Sequence, residues 1–512
     1  MTLQPIMPPS WQSPYPIIYS QELGTSLPPN DPYAISVSLP SWQDVVDYEE
    51  GLDRVRQKLQ TGYPRFVLHP IIQELCAVIT KSYLKPHEMA WPFWHLRDAQ
   101  RGASYLYQRY QLSTRTMVIG PLLSVLVVDT THHAKAKEIW QHTGLGISAR
   151  HARYLLDYGL TTSTYFSLPE NQQTILPSYS SLRGHLAQLS GEKEENIFLF
   201  PSGMAAIFTA YQLIKDLNPT LPTCQLGFPY LDTLKIQEKW GEHHYINYQQ
   251  SSDIEQISNI LTAGCGAVFA EFPTNPLLNS IDLERLRTLR TACSSYVPLI
   301  LDDTLTGFSL PNIAPYADIR VTSLSKYYNG MSNVLAGSLI LSNKSPHYPI
   351  YRKWFDEHYQ PALWPEDASL LFKNGQDCLD RVQHASDRAF HLSTWLHTHP
   401  AIRACYYPKY QQPTIYDSYR SHHGGYGSLF SLVFDSKEKA ACFYDHFPLA
   451  KGPGLGSHFT MCCPYTLLAH YDELEKVAQY GVPAALLRFS IGVEPLDHIR
   501  SAFEQAFSSL EP

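Results

Sequence analysis

The chain has 512 residues, is 44% hydrophobic and 17% charged, and carries a formal net charge of −8. That acidic balance excludes the basic footprint of a nucleic-acid binder, and no apolar stretch reaches the ~18 residues of a membrane span or follows a basic segment as in a signal peptide. The 9 cysteines are scattered and form no C-x-x-C pair, so reduced thiols in a cytoplasmic setting are expected rather than a disulfide framework or a zinc site.

Residues 1 to about 40 are rich in Pro, Ser, Gln and Tyr and read as an extended N-terminal arm, loose or draped over another surface. From residue 41 the pattern turns helical, with Ser41 as N-cap and an apolar face of Val45, Val46 and Tyr48. Residues 62–70 read as a turn followed by a short strand. Helices are expected over 71–83, about 98–110, 133–140 and 151–158. The apolar run 118–128, broken at Gly120-Pro121, predicts one or two strands. Residues 41–175 therefore read as an α/β extension with no catalytic signature of its own.

After a helix over 179–189 the pattern becomes regular. A short buried strand, 197–200, turns at Pro201-Ser202-Gly203 straight into an apolar helix running to Leu217. A strand–glycine turn–helix start presents free backbone N–H groups and the positive end of the helix dipole, an anion site. The same small residues also make a plain N-cap. Strands follow at 224–228, 267–270 and 298–301, with a helix at 232–240 between the first two. Strands alternating with helices predict a mainly parallel sheet, whose ligands gather beyond the carboxyl ends of the strands. The residues at those ends are Ser202-Gly203, Tyr230, Asn275, Asp302 and then Ser323, Ser325 and Lys326.

Each of these residues has two readings. Lys326 lies between the apolar runs 319–321 and 334–341, next to the turn Asn329-Gly330. It is either an ordinary loop lysine or a poorly hydrated amine whose neutral form attacks carbonyls, including that of pyridoxal phosphate (PLP). Asp302 either caps a turn or keeps a pyridine nitrogen protonated. Tyr230 fills core space, or stacks on a cofactor ring and moves protons. Asn275 shapes a turn or hydrogen-bonds cofactor or substrate. The adjacent histidine pairs 132–133, 243–244 and 422–423 do not face one site in a helix or strand, so no metal site is expected.

Taken together, Ser202-Gly-Met-Ala-Ala206, Phe272-Pro-Thr-Asn-Pro-Leu277, Leu301-Asp-Asp-Thr304 and Ser323-Leu-Ser-Lys326 resemble the PLP-dependent enzymes of cysteine and methionine metabolism, the cystathionine γ-synthase group. Arg381-Val-Gln-His384, Gly424-Gly-Tyr-Gly-Ser-Leu-Phe-Ser431 and Leu487-Arg-Phe-Ser-Ile-Gly-Val-Glu494 resemble that group's C-terminal segments. Trp42, Tyr48-Glu-Glu-Gly51, Gly62-Tyr-Pro-Arg-Phe66 and Trp140-Gln-His-Thr-Gly144 are similar to its long fungal-type members. The resemblance implies an α/β, aspartate aminotransferase-like fold of type I. It would comprise a seven-stranded, mostly parallel sheet over 176–375, a smaller α+β domain over 376–512, and assembly as a homodimer or homotetramer. It also implies roles. Lys326 would carry PLP as a Schiff base and shuttle protons. Asp302 would pair with the pyridine nitrogen and Tyr230 would stack on the ring. Gly203, Met204, Ser323 and Ser325 would hold the phosphate, Arg488 would bind the substrate α-carboxylate, and Asn275 would orient both. Without the family, Arg488 reads rather as a rim salt bridge.

The chain departs from the pattern at three places. The bacterial Tyr-x-Arg and Gly-Asn-Pro string that reaches a neighbouring subunit's phosphate has no counterpart before Ser202; Arg150, Arg153 and Arg183 are the candidates to replace it. The family's Ser-Leu-Gly is Gly454-Leu455-Gly456 here, and its Asp-Asn is Asp302-Asp303. The expected activity is γ-substitution on an activated homoserine by a nucleophile such as cysteine. The alternatives are a γ-eliminating lyase and γ-substitution by a carbon or amine nucleophile.

Overall fold

The computed structural model describes residues 14–62, 67–161, 177–248, 253–421 and 424–510. Its centre is a seven-stranded sheet in the order Ile197–Phe200, Gly337–Leu341, Ile319–Thr322, Leu299–Asp302, Ala267–Glu271, Thr223–Leu226, His243–Ile246. The last five strands run parallel, and Gly337–Leu341 is antiparallel to both its neighbours. Burial on both faces explains the near-continuous Val, Ile, Leu and Phe of the central strands, every residue of Ala267–Glu271 and Ile319–Thr322 being buried. A separate five-stranded sheet, containing Leu429–Phe434 and Leu486–Ser490, forms the C-terminal part. The helix Cys378–Leu396 leads into it.

The extension contains a three-stranded antiparallel sheet. Gly120-Pro121 divides the apolar run into the strands Arg115–Gly120 and Leu123–Asp129. The strand Glu88–Phe93 escapes the sequence because Pro92 interrupts its pattern, and it lies at the sheet's edge, where proline is tolerated. His243–Ile246 escapes for a related reason: an edge strand with one neighbour need not be apolar throughout. Of the strand expected after Gly62, the described residues Val67 to His69 form no part. Residues 63–66 lie outside the described residues, and Val67 to His69 lead into the helix Pro70–Tyr83, which His69 caps. His422 and His423 also lie outside them. No helix among the described residues is long and apolar enough to cross a membrane, and their cysteines form no disulfide.

The arm is draped, in its described part. Ser20 N–H donates to Pro448 O at 2.8 Å and Leu39 N–H to Lys451 O at 3.0 Å. Ser26–Leu27 pairs with Ser36–Val37, and Leu27, Val37 and Leu39 are fully buried. It runs into the helix Trp42–Glu49, whose N-cap is Ser41. The Ser41 hydroxyl accepts from Asp44 N–H at 3.1 Å, and the Asp44 carboxylate accepts from Ser41 N–H.

The strand that leads to Lys326 is anchored at its start by Asp318. Its carboxylate accepts from Leu299 N–H (2.8 Å), Arg290 Nη2 (2.9 Å), the Tyr296 hydroxyl (2.8 Å) and the Ser345 hydroxyl (2.6 Å). Arg290 and Asp318 are both buried. Asp318→Ala leaves the guanidinium without its counter-charge and is expected to cost about 3–5 kcal/mol. A clearly lowered midpoint of heat denaturation checks this; an unchanged midpoint contradicts it.

Candidate active site

One cavity of about 220 Å³ is lined by all nine residues singled out from the sequence: Gly203, Met204, Tyr230, Asn275, Asp302, Ser323, Ser325, Lys326 and Arg488. The parallel sheet brings most of them together. Asp302 ends its strand in register with Val321 of the next, five residues before the lysine, while Tyr230 and Asn275 follow the ends of two further strands. Arg488 comes from the C-terminal sheet, where it is opposite Ser431 and Cys463.

Lys326 sits in a tight turn closed by its own N–H to Ser323 O (3.2 Å) and by Gly330 N–H to its carbonyl (2.9 Å). Gly456, at φ +74°, packs onto this turn. A Cβ there would stand 2.7 Å from Tyr327 N and 2.9 Å from the Lys326 carbonyl carbon, so only glycine permits the approach. Burial, and next the Arg488 charge, lower the amine's pKa to about 8. The neutral amine is thus within reach near neutral pH.

Arg488 is buried. Its Nη1 donates to Asn275 Oδ1 (3.3 Å) and its Nη2 to the carbonyls of Pro453 (3.2 Å) and Gly454 (3.1 Å), and its guanidinium lies over the Tyr465 ring. Its Nε is buried without a hydrogen-bond partner among the described residues, and no carboxylate pairs with it there. A cation held by neutral oxygens alone is set for an incoming anion.

Asp302 is the converse. Its carboxylate accepts from Thr304 N–H at 2.9 Å, and no cation offsets its burial among the described residues. Burial raises its pKa and that of neighbouring Glu271, which the charge of Asp302 raises further. Asp303, next in sequence, points elsewhere, receiving the Thr322 hydroxyl with Arg320 at 3.6 Å. Glu271 accepts from the backbone N–H of Tyr230 and, at 3.3 Å, of Asn275, so one carboxylate fixes two of the candidate residues. Sequence reasoning assigned Glu271 no role, although it closes a buried apolar strand just as Asp302 does.

The turn before the helix Gly203–Leu217 meets the Ser323 segment closely. A Cβ on Gly203 would stand 2.7 Å from Ser323 Cβ, and Ser323 N–H donates to Thr304 Oγ1 at 2.8 Å. Ser202 caps the helix, accepting from Ala205 N–H at 3.1 Å. Ser325 lines the cavity, but its hydroxyl donates to Ala336 O (3.1 Å) and accepts from Ala336 N–H (2.9 Å). It clamps the loop in this arrangement. The residues fit PLP: a helix start for a phosphate, a carboxylate lacking a cation for a pyridinium, and a buried amine for an aldehyde. Tyr33 and Trp140 of the N-terminal part, which the sequence does not mark as site residues, also line this cavity, as does Arg150, one of the three candidate phosphate arginines.

A model of the "Cys/Met metabolism PLP-dependent enzyme" family matches residues 172–508, and one of the "Fungal trans-sulfuration enzyme, N-terminal domain" matches residues 71–148. The chain is similar to a cystathionine gamma-synthase of Saccharomyces cerevisiae, 30% identical over 95% of this chain and 99% of that protein. It is also similar to the cystathionine gamma-synthase-like enzyme iboG2 of Amanita muscaria, 30% identical over 95% and 96%. Its fold resembles that of a cystathionine gamma-lyase from Lactobacillus plantarum, with a TM-score of 0.58 and 22% identity over 68% of this chain and 92% of that one.

In cofactor-free protein, acylation of Lys326 should follow its neutral fraction and rise through pH about 8 instead of the ordinary 10.5. Arg488→Met removes the nearby positive charge and should move the midpoint upward. Mass spectrometry of the labelled peptide against pH reads both; a midpoint near 10.5 in the unaltered protein contradicts the buried-amine geometry.

Proposed function

Because the chain belongs to the Cys/Met metabolism PLP-dependent enzymes, which its match over residues 172–508 establishes, we propose that it replaces the γ-leaving group of an activated homoserine, O-acyl or O-phospho, with a nucleophile such as the thiol of cysteine. The observation that carries this reading is the buried Arg488 guanidinium, which lacks a counter-ion among the described residues and lines the same cavity as a buried amine and a buried carboxylate. That set suits an α-amino acid bound beside PLP. The 30% identity to a cystathionine gamma-synthase over nearly the full length of both chains supports the choice of reaction.

PLP supplies an electron sink for the carbons adjoining the substrate nitrogen. The protein's part is positional and acid–base. Arg488, held by Asn275 Oδ1 and two carbonyls, binds the α-carboxylate, and Asn275 orients it. Lys326, its amine made available by burial, removes the proton from Cα and then one from Cβ, which lets the γ-group leave, and returns a proton to each carbon once the nucleophile has added. Asp302 holds the proton of the pyridine nitrogen. Tyr230 covers the ring, its phenol within the cavity and its N–H fixed by Glu271. Gly203, Met204 and Ser323 receive the phosphate, and Ser325 fixes the loop that carries the lysine. The Cγ–O bond breaks, the Cγ–S bond forms, and the thiol proton leaves with the released acid. Without a nucleophile, the same two deprotonations and loss of the γ-group, followed by hydrolysis, give 2-oxobutanoate, ammonia and the released acid.

Incubation with O-acyl and O-phospho homoserines, with and without cysteine, should give the thioether when thiol is present and exceed 2-oxobutanoate formation. Chromatography with mass detection reads both products. Production of 2-oxobutanoate unaffected by thiol overturns the transferase reading in favour of the lyase. Arg488→Met is expected to lower kcat/KM roughly 30- to 1,000-fold, the equivalent of losing ~2–4 kcal/mol of a charge-paired contact; retention of wild-type kcat/KM contradicts its role.

A further inference from the structure

Of the three arginines considered to complete the phosphate site, two are directed elsewhere. Arg153 pairs with Glu74 at 3.0 Å and lies one-third exposed, and Arg183 Nε donates to Glu194 O at 2.9 Å. Arg150 alone of the three lines the cavity. It stands in the first turn of the helix Ala149–Tyr158 with its side chain only 7% exposed.

The guanidinium is held from one corner. Nη1 donates to Asp367 Oδ1 (2.7 Å) and to Asn333 O (2.8 Å), and the plane lies over the Tyr33 ring at 4.3 Å. Neither Nε nor Nη2 makes a hydrogen bond among the described residues, and the residue lines the cavity. The free edge is therefore a two-donor fork.

Its neighbours locate it on the phosphate side. The loop before the helix packs on the start of Gly203–Leu217: Ser202 Oγ donates to Gly144 O at 2.9 Å, and a Cβ on Gly144 would stand 2.7 Å from Met204 Cβ. Asn333, which accepts from Arg150, belongs to the loop that reaches Ala336, the partner of Ser325, and Gly337, which abuts the Ser202 carbonyl. Arg488 sits apart from this group, tied to Asn275, Pro453 and Gly454. A helix start supplies roughly half a positive charge, and the Ser325 hydroxyl is engaged with Ala336. A phosphate dianion there lacks a full counter-charge unless Arg150 provides it.

We propose that Arg150 receives the phosphate of PLP, so that the N-terminal extension completes the cofactor site within a single chain. This rests on the PLP reading above. Asp367 then acts as a positioning residue that aims the fork.

The test compares PLP with pyridoxal, which has the same ring and aldehyde but no phosphate. Cofactor-free wild type, R150M, R150K and R153M are titrated with each, read by quenching of tryptophan fluorescence, since Trp140 lines the cavity. R150M should bind PLP about 10- to 100-fold more weakly, the span expected for lost charge-assisted hydrogen bonds, with pyridoxal affinity unchanged. R150K, which keeps the charge but not the fork, should show a smaller loss confined to PLP, and R153M none. If R150M does not fold, R150K decides. An equal fall for PLP and pyridoxal in the Arg150 variants, or no fall in either, overturns the proposal. Wild type that binds neither compound would sink the PLP reading itself, a result distinct from both.

Discussion

A lysine amine and an arginine guanidinium line one cavity, with no carboxylate among the described residues paired to the arginine, and the rest of the site depends on that arrangement. Burial makes the ammonium form of Lys326 costly, and the guanidinium charge adds to the cost. Arginine cannot shed its proton at any accessible pH, so it is the lysine whose pKa falls. Asp302, in the same lining, carries the opposite deficit, a buried carboxylate with no cation beside it among the described residues. These unmet charges are complementary to a carboxylate and to a pyridinium.

The fold supplies this arrangement through strand ends. Parallel neighbours put Asp302 level with Val321, and the turn that follows carries Lys326 into the same cavity. Glu271, from the adjacent strand, fixes Tyr230 and Asn275 through their backbone N–H groups, so the positions of those side chains follow from one carboxylate. The C-terminal sheet contributes Arg488, and close contact at Gly456 ties the arginine's neighbourhood to the lysine turn. The N-terminal segments close the remaining side with Tyr33, Trp140 and Arg150.

What the sequence made legible has a physical pattern. Central strands buried on both faces announce themselves as unbroken apolar runs, and their ends could be searched for polar residues, which is how Asp302, Asn275 and Lys326 were found. Edge strands such as His243–Ile246 and Glu88–Phe93 bear polar residues or proline without cost and so leave no such trace. The apposition of Gly144 with Ser202 across 58 positions of chain is a tertiary fact that no local pattern encodes. Nor does sequence disclose that the Ser325 hydroxyl is engaged by Ala336 rather than left to face a phosphate. The arm was open between loose and draped; the backbone bonds to Pro448 and Lys451 and the burial of Leu27, Val37 and Leu39 make it draped in its described part.

The central claim concerns which amine meets the cofactor. Reduction of PLP-loaded protein with borohydride, followed by proteolysis and fragment sequencing by mass spectrometry, locates the pyridoxyl group on a single residue. The account predicts a pyridoxyl phosphate mass on Lys326 and its disappearance in Lys326→Ala. Stable labelling of any other lysine, or no label on loaded protein, would contradict it.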